Sequence, residues 1–231
     1  MSLNIKPTIY GNQRIRCVLP QRIVEYFKLD YTFVDPESNV ESADVKLYQK
    51  IFPLKKVPSL IDVDYKTGKQ FHLTEVIAII YYLLEPLAVE KNDAFAKQIL
   101  GSSLQGRAEV LKWLSFNNSD FQVPLVGCMR QVRGVDNYNK SVFDSNIVKV
   151  QSFIDDIFTP RLTNYTYLVG EDITLADFFA ATWFLRASGF ILDKKWVKEH
   201  PAVMRWFNTA FQHEFVPPIF NDFSFLENLP S

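Results

Sequence analysis

Apolar and polar positions change rhythm once along the chain. Up to about Leu87, short apolar runs alternate with stretches of helical spacing; beyond it, helical spacing continues between brief polar loops. The first run, Pro7-Thr8-Ile9-Tyr10, closes at Gly11-Asn12 and predicts a strand. Val18 to Phe27 follows with helical spacing and with Pro20 suited to a first turn. Tyr31 to Asp35 predicts a second strand, so the opening reads as a βαβ unit with parallel strands and a right-handed crossover. Ser59 to Asp64, a turn through Tyr65-Lys66-Thr67-Gly68, and Gln70 to Leu73 predict an antiparallel hairpin. Thr74 is placed to cap a helix running from Glu75 to Leu84.

The order βαβ, intervening segment, ββα is that of a thioredoxin-like domain. In the second half the spacing predicts helices over Gln105 to Asp120, Ser145 to Leu162, Thr174 to Ser188 and Pro201 to Gln212. The third is apolar nearly all round and belongs at the centre of a bundle. Thr174 and Asp177 have the spacing of a capping box with Asp in place of the usual Glu or Gln; this local role accounts for Asp177 ahead of a catalytic one. Arg205-Trp206-Phe207 in the last helix reads as packing. The fold class is therefore α/β followed by all-α, divided as residues 1–87 and 88–231.

Composition narrows the function classes. With 231 residues, 48% of them hydrophobic and 22% charged, the chain can bury a substantial core. A net charge of −1 supplies no general field for nucleic acid, and no such partner is expected. Met1 to Lys6 has no basic stretch leading into an apolar run, and no window approaches the ~20 apolar residues of a membrane span. A soluble, cytoplasmic protein without a membrane partner is expected. Cys17 and Cys128 lie far apart, and His72, His200 and His213 lack metal-ligand spacing, so neither a disulfide framework nor a metal site is expected.

Phe52-Pro53-Leu54-Lys55-Lys56-Val57-Pro58, followed by Thr74-Glu75-Val76 and later by Thr174-Leu175-Ala176-Asp177, resembles the glutathione transferase superfamily. Within it, longer stretches resemble the transferase-like domain of translation elongation factor 1 gamma subunits, particularly the fungal form. They are Arg14-Ile15-Arg16, the Phe52 to Pro58 run, Leu73-Thr74-Glu75, Asn118-Ser119-Asp120, Asn164-Tyr165-Thr166-Tyr167-Leu168 and Arg205-Trp206-Phe207-Asn208. The similarity runs from about Thr8 to Phe225 and implies the transferase fold, a thioredoxin-like domain followed by a helical one.

The resemblance also implies a glutathione site. In the superfamily the proline matching Pro58 is cis, which turns the residue before it, here Val57, so that its N–H and C=O face the cysteinyl unit. Glu75 and Val76 match the helix start that holds the γ-glutamyl carboxylate, where relatives place a Ser or Thr at the second position. Val76 lacks that hydroxyl, a loss of about 0.5–1.5 kcal/mol for a typical hydrogen bond. Lys55 stands where several classes contact the glycine carboxylate, with a solvated lysine as the alternative; Glu75 alternatively serves the helix dipole. Three residues compete to activate the thiol. Tyr10, followed by Arg16, resembles the tyrosine-type spacing; Cys17 stands beside Arg16 near a helix start; the serine-type position falls at Val18-Leu19, which carry no hydroxyl. Arg14 and Arg16 are candidate anion contacts, with an exposed basic loop as the other reading.

Two functions remain open. One is a noncatalytic scaffold like the elongation factor gamma domain, associating with the guanine-nucleotide-exchange subunits and forming a homodimer. The other is a glutathione transferase acting on hydrophobic electrophiles. Neither implies a cofactor; glutathione enters as substrate or ligand. The gamma subunits continue into a further domain where this sequence ends at Ser231, which leaves a stand-alone relative and a domain of a longer chain as alternatives.

Overall fold

The computed structural model describes residues 6–64, 66–216 and 223–228. Met1 to Ile5 and Tyr65, used in the sequence reading, lie outside the described residues. The chain divides into two compact units, Met1–Ala96 and Lys97–Ser231.

The first unit holds a four-stranded sheet in the order β2-β1-β3-β4. Strand β1 (Thr8–Tyr10) pairs in parallel with β2 (Thr32–Val34) and antiparallel with β3 (Ser59–Val63), which pairs antiparallel with β4 (Gln70–Thr74). This is the predicted βαβ unit and hairpin. Ile9 and Leu60, paired across β1 and β3, are fully buried, as are Ile23, Ile79, Ile80 and Leu84 of the helices on the sheet. In the hairpin turn the Asp64 carboxylate accepts from the backbone N–H groups of Lys66 and Thr67.

Two helix starts differ from expectation. Helix α1 runs over Ile15–Tyr26, so Pro20 is inside it rather than in its first turn. The start is set earlier, where the Asn12 side chain accepts from the Arg14 N–H at 3.1 Å and turns the chain out of the strand. Thr74 does not cap the next helix, because it is still in the ladder opposite Ser59. The turn is made within one residue, Glu75 at φ +71°, and α3 begins at Val76 and ends at Val89. Between them α2 (Ala43–Ile51), unread in the sequence, is capped by the Ser42 hydroxyl, which accepts from the Val45 N–H.

Helix α4 (Ala94–Leu100) spans the division between the units. In the second unit, α5 (Leu104–Phe116), a π-helical turn (Asn117–Phe121) and α6 (Gln122–Val132) follow without a break, well beyond the predicted end at Asp120. A second rod is built the same way from α7 (Lys140–Phe153), a π-helical turn (Ile154–Phe158) and α8 (Thr159–Asn164). It starts ahead of Ser145 because Asn139 caps it, accepting from the Val142 N–H. The widened turns aim Phe121 and Phe158 at one another, 5.1 Å apart, and Phe184 of α9 (Leu175–Ser188) stacks on Phe121 at 5.3 Å and meets Phe158 edge-on at 5.1 Å. As predicted, α9 is buried nearly all round. Trp206 of α11 (Pro201–Gln212) closes the cluster, and α10 (Lys194–Glu199) precedes it.

Asp177 does more than cap α9. It is fully buried, and its Oδ2 accepts from the N–H and the hydroxyl of Thr174, while Oδ1 accepts from the Leu168 N–H and from Trp206 Nε1, all within 3.0 Å. Burial, the largest influence, raises its pKa, and the hydrogen bonds it accepts from Leu168, Thr174 and Trp206 oppose that rise. Trp206 and Phe207 pack in the core, as read, and Arg205 adds a cap that was not read, donating to the carbonyls of Leu162, Tyr165 and Thr166.

Candidate functional site

Strand register decides which residues share one end of the sheet. Tyr10 lies opposite Ser59, and Ser59 opposite Thr74. One step beyond that row are Gly11, leading into α1, the Val57-Pro58 step, and Glu75, leading into α3. The α1 start, the loop before β3 and the α3 start therefore meet at the same end of the first unit. No single stretch of sequence contains this arrangement.

The Val57-Pro58 bond is cis. Pro58 is buried, Val57 half-buried, and the loop is fastened by the Ser59 hydroxyl, which donates to the Lys56 carbonyl at 2.7 Å. Among the described residues, neither the N–H nor the C=O of Val57 has an intramolecular partner. An unpaired donor and acceptor on one residue beside a sheet is a template for an extended, peptide-like ligand.

At the α3 start the first helical hydrogen bond is from the Ile79 N–H to the Glu75 carbonyl. The N–H groups of Val76, Ile77 and Ala78 precede it, and no acidic residue stands in that first turn. Such a terminus attracts a carboxylate. The Val76 side chain is buried, 3% exposed, so what this position offers outward is its backbone. Glu75 is exposed and makes no capping hydrogen bond with its side chain. Lys55 is exposed at φ +48°, its N–H donating to the Phe52 carbonyl. Arg16 is half-buried with no partner among the described residues, whereas Arg14 is paired with Glu37 at 2.7 Å.

The two thiol-chemistry candidates lie in the core. Tyr10 is 1% exposed, its ring 4.9 Å from that of Tyr48 and 6.1 Å from that of Phe52. Burial, reinforced by the charge of Asp44, raises its pKa to about 12. Cys17 is 2% exposed on the third residue of α1, and burial likewise pushes its thiol up despite the opposing charge of Arg14. A thiol kept protonated in this way is a poor nucleophile. The end of the sheet thus offers backbone groups for a peptide-like acid, while the two candidate thiol-activating side chains beside it are buried with raised pKa values. Asp62, not singled out in the sequence, belongs to the opposite end of β3, where its Oδ2 accepts from the hydroxyls of Tyr31 and Tyr82.

Residues 7–85 match the model of the glutathione S-transferase N-terminal domain and residues 136–214 that of the glutathione S-transferase C-terminal domain. The chain is 36% identical over 222 residues to elongation factor 1-gamma 1 of Saccharomyces cerevisiae, covering 95% of this chain and 50% of that one. It therefore spans about half the length of that relative. It is 33% identical over 218 residues to a putative elongation factor 1 gamma homologue of the same yeast, covering 92% of this chain and 90% of the other. Among solved structures, the crystal structure of the GST-like domain of elongation factor 1-gamma from Saccharomyces cerevisiae superposes with a TM-score of 0.81 at 36% identity, covering all of both chains.

Proposed function

Because the chain belongs to the glutathione S-transferase family in both of its halves, we propose that it acts mainly as a protein-interaction scaffold in translation elongation. The observation that carries this reading is the end-to-end match with the GST-like domain of elongation factor 1-gamma. The burial of Tyr10 and Cys17 agrees with it, since a scaffold needs no activated thiol. Its partners are elongation factor 1 exchange subunits, and its place of action is the cytoplasm. Affinity capture with the intact chain from source cells tests this: exchange subunits in the captured fraction are the expected result, and their absence overturns the reading.

Glutathione binding is residual. Val57 contributes its N–H and C=O beside Pro58, the α3 start contributes N–H groups at Glu75 and Val76, and Lys55 and Arg16 supply positive charge. Native calorimetric titration with glutathione is expected to give a Kd in about the millimolar range. Val76→Ser is expected to tighten binding by no more than about tenfold, the worth of one hydrogen bond.

The unpaired backbone groups of Val57 favour a second reading, an active transferase for hydrophobic electrophiles. Conjugation of a generic electrophile is expected to be slow and unchanged in Tyr10→Phe. Robust turnover abolished by that substitution would sink the scaffold-only reading.

The chain also forms a homodimer. On α5, Leu104 is 81% and Leu111 45% exposed, and with exposed Ala108 they lie at i, i+4 and i+7, a stripe on one helix face. An apolar stripe of this kind is covered by a second copy. Light scattering is expected to return twice the chain mass and Leu104→Asp to return the single mass; a native monomer rejects the dimer.

A further inference from the structure

In the second unit, the turn between α6 and α7 is held by its own backbone. The N–H groups of Val135 and Asp136 both donate to the Arg130 carbonyl, at 2.8 and 3.2 Å, and the Asn139 N–H donates to Gln131 Oε1 at 2.7 Å. A turn so fastened nevertheless points apolar groups outward: Val135 is 54% and Tyr138 53% exposed, with Val132 and Val142 exposed beside them.

Its charges are unevenly satisfied. Asp136 takes Arg130 through two hydrogen bonds of 2.7 and 2.6 Å, and Asp144 takes Lys140 at 2.9 and 3.1 Å. Both nearby carboxylates are therefore committed. Arg133, exposed at the end of α6, and Arg186, half-buried in the last turn of α9, have no hydrogen bond or ion pair among the described residues. The two helices pack together, with Arg133 at the end of one and Arg186 in the last turn of the other, and the charge of Arg133 opposes that of Arg186. Burial first, and that like charge second, pull Arg186 down from the ordinary guanidinium range. A helix C-terminus favours one cation apiece, which accounts for either arginine alone. It does not account for two adjacent ones, one of them partly stripped of water, with no counter-charge.

We propose that the α6–α7 turn and the end of α9 form a docking surface for an acidic segment of a protein partner. Its carboxylates meet Arg133 and Arg186, and an apolar side chain of the same segment rests on Val135 and Tyr138. Planar guanidiniums suit carboxylates, and Arg with Tyr around an apolar centre is the composition of binding hot spots. Nucleic acid fits less well, because the chain carries no positive excess and Val135 and Tyr138 offer an apolar surface beside the arginines. The surface goes beyond the scaffold reading, which specifies no contact face, and it is independent of the glutathione site.

The test is an NMR titration of the intact 15N-labelled chain with a synthetic peptide alternating Asp and Leu. Amide shifts confined to residues 132–138, together with the Arg186 side-chain N–H, are expected. The double variant Arg133→Ala/Arg186→Ala is expected to weaken binding by about tenfold or more, the loss of charge-assisted hydrogen bonds. Arg133→Glu, a change at an exposed position, is expected to do the same and keeps the test valid if the double variant fails to fold. Val135→Ser is expected to weaken binding severalfold. The proposal falls if affinity is unchanged in Arg133→Glu, if the shifts map elsewhere, if inorganic phosphate alone reproduces them at equal affinity, or if an oligouridine binds there more tightly than the peptide. Exchange-subunit capture that survives Arg133→Glu overturns this surface and leaves the scaffold reading standing.

Discussion

Asp177→Ala is expected to destabilise the helical unit by about 3–5 kcal/mol, among the largest effects available to a single substitution in this chain. The reason is the number of donors that share its carboxylate. Removing it strands the N–H groups of Leu168 and Thr174 and the indole N–H of Trp206 in a site with no access to water. Loss of a helix cap alone would cost typically about 1 kcal/mol, so the size of the effect separates a cap from a hub. Asp177→Asn sharpens the distinction. Each carboxylate oxygen accepts two hydrogen bonds, so whichever one becomes an amide nitrogen faces two donors; only the Thr174 hydroxyl can rotate to accept. A loss of about 2–3 kcal/mol is expected for Asn, between the native chain and the Ala variant. Urea unfolding followed by tryptophan fluorescence measures both. A loss near 1 kcal/mol for Ala would reduce Asp177 to an ordinary cap.

The same residue shows where sequence reading stops. The spacing from Thr174 to Asp177 is local, and it correctly marked the start of α9. Leu168 and Trp206 reach the carboxylate through the fold, and nothing in their neighbourhoods along the chain points to it. The sheet was legible for the corresponding reason: alternation and turn residues are local, and all four strands were read. Helix α6 was not, because Pro124 close after Asp120 reads as a stop, whereas the π-helical turn before it lets the rod continue. Helices α2 and α10 are short, with few buried positions, and their caps at Ser42 and Asp193 are their main signals.

At the candidate site the framework was legible and the chemistry was not. The cis Val57-Pro58 step was expected from resemblance, and the α3 start was placed to within one residue. Whether Tyr10 faces a ligand or the core depends on Tyr48 and Phe52, which reach it only after α2 has folded over the sheet. Val76 was read as a missing hydroxyl; its burial adds that the outward groups at the helix start are peptide N–H, which any residue but proline supplies.

Gly101→Ala is the second large effect, about 3 kcal/mol, from a position with no polar chemistry. Gly101 has φ +96°, and a Cβ there would lie 2.5 Å from the Arg107 nitrogen and 2.6 Å from the Gly106 carbonyl carbon. Both are backbone atoms in the first turns of α5, where the Ser103 hydroxyl accepts from the Gly106 N–H at 3.0 Å. A flexible side chain could swing aside; a capped helix start has to shift as a whole. Gly68 supplies the control, since it has φ +64° but nothing within 4 Å of its added Cβ, and Gly68→Ala is expected to cost only about 1 kcal/mol. The difference between the two variants in thermal or urea unfolding isolates the clash from the backbone conformation. Because the displaced turn begins the helix that carries Leu104, Ala108 and Leu111, Gly101→Ala is also expected to weaken the dimer, and Gly68→Ala to leave it intact. Equal stability of the two variants, or an unchanged dimer in Gly101→Ala at temperatures where it remains folded, would detach the start of α5 from the interface proposed for it.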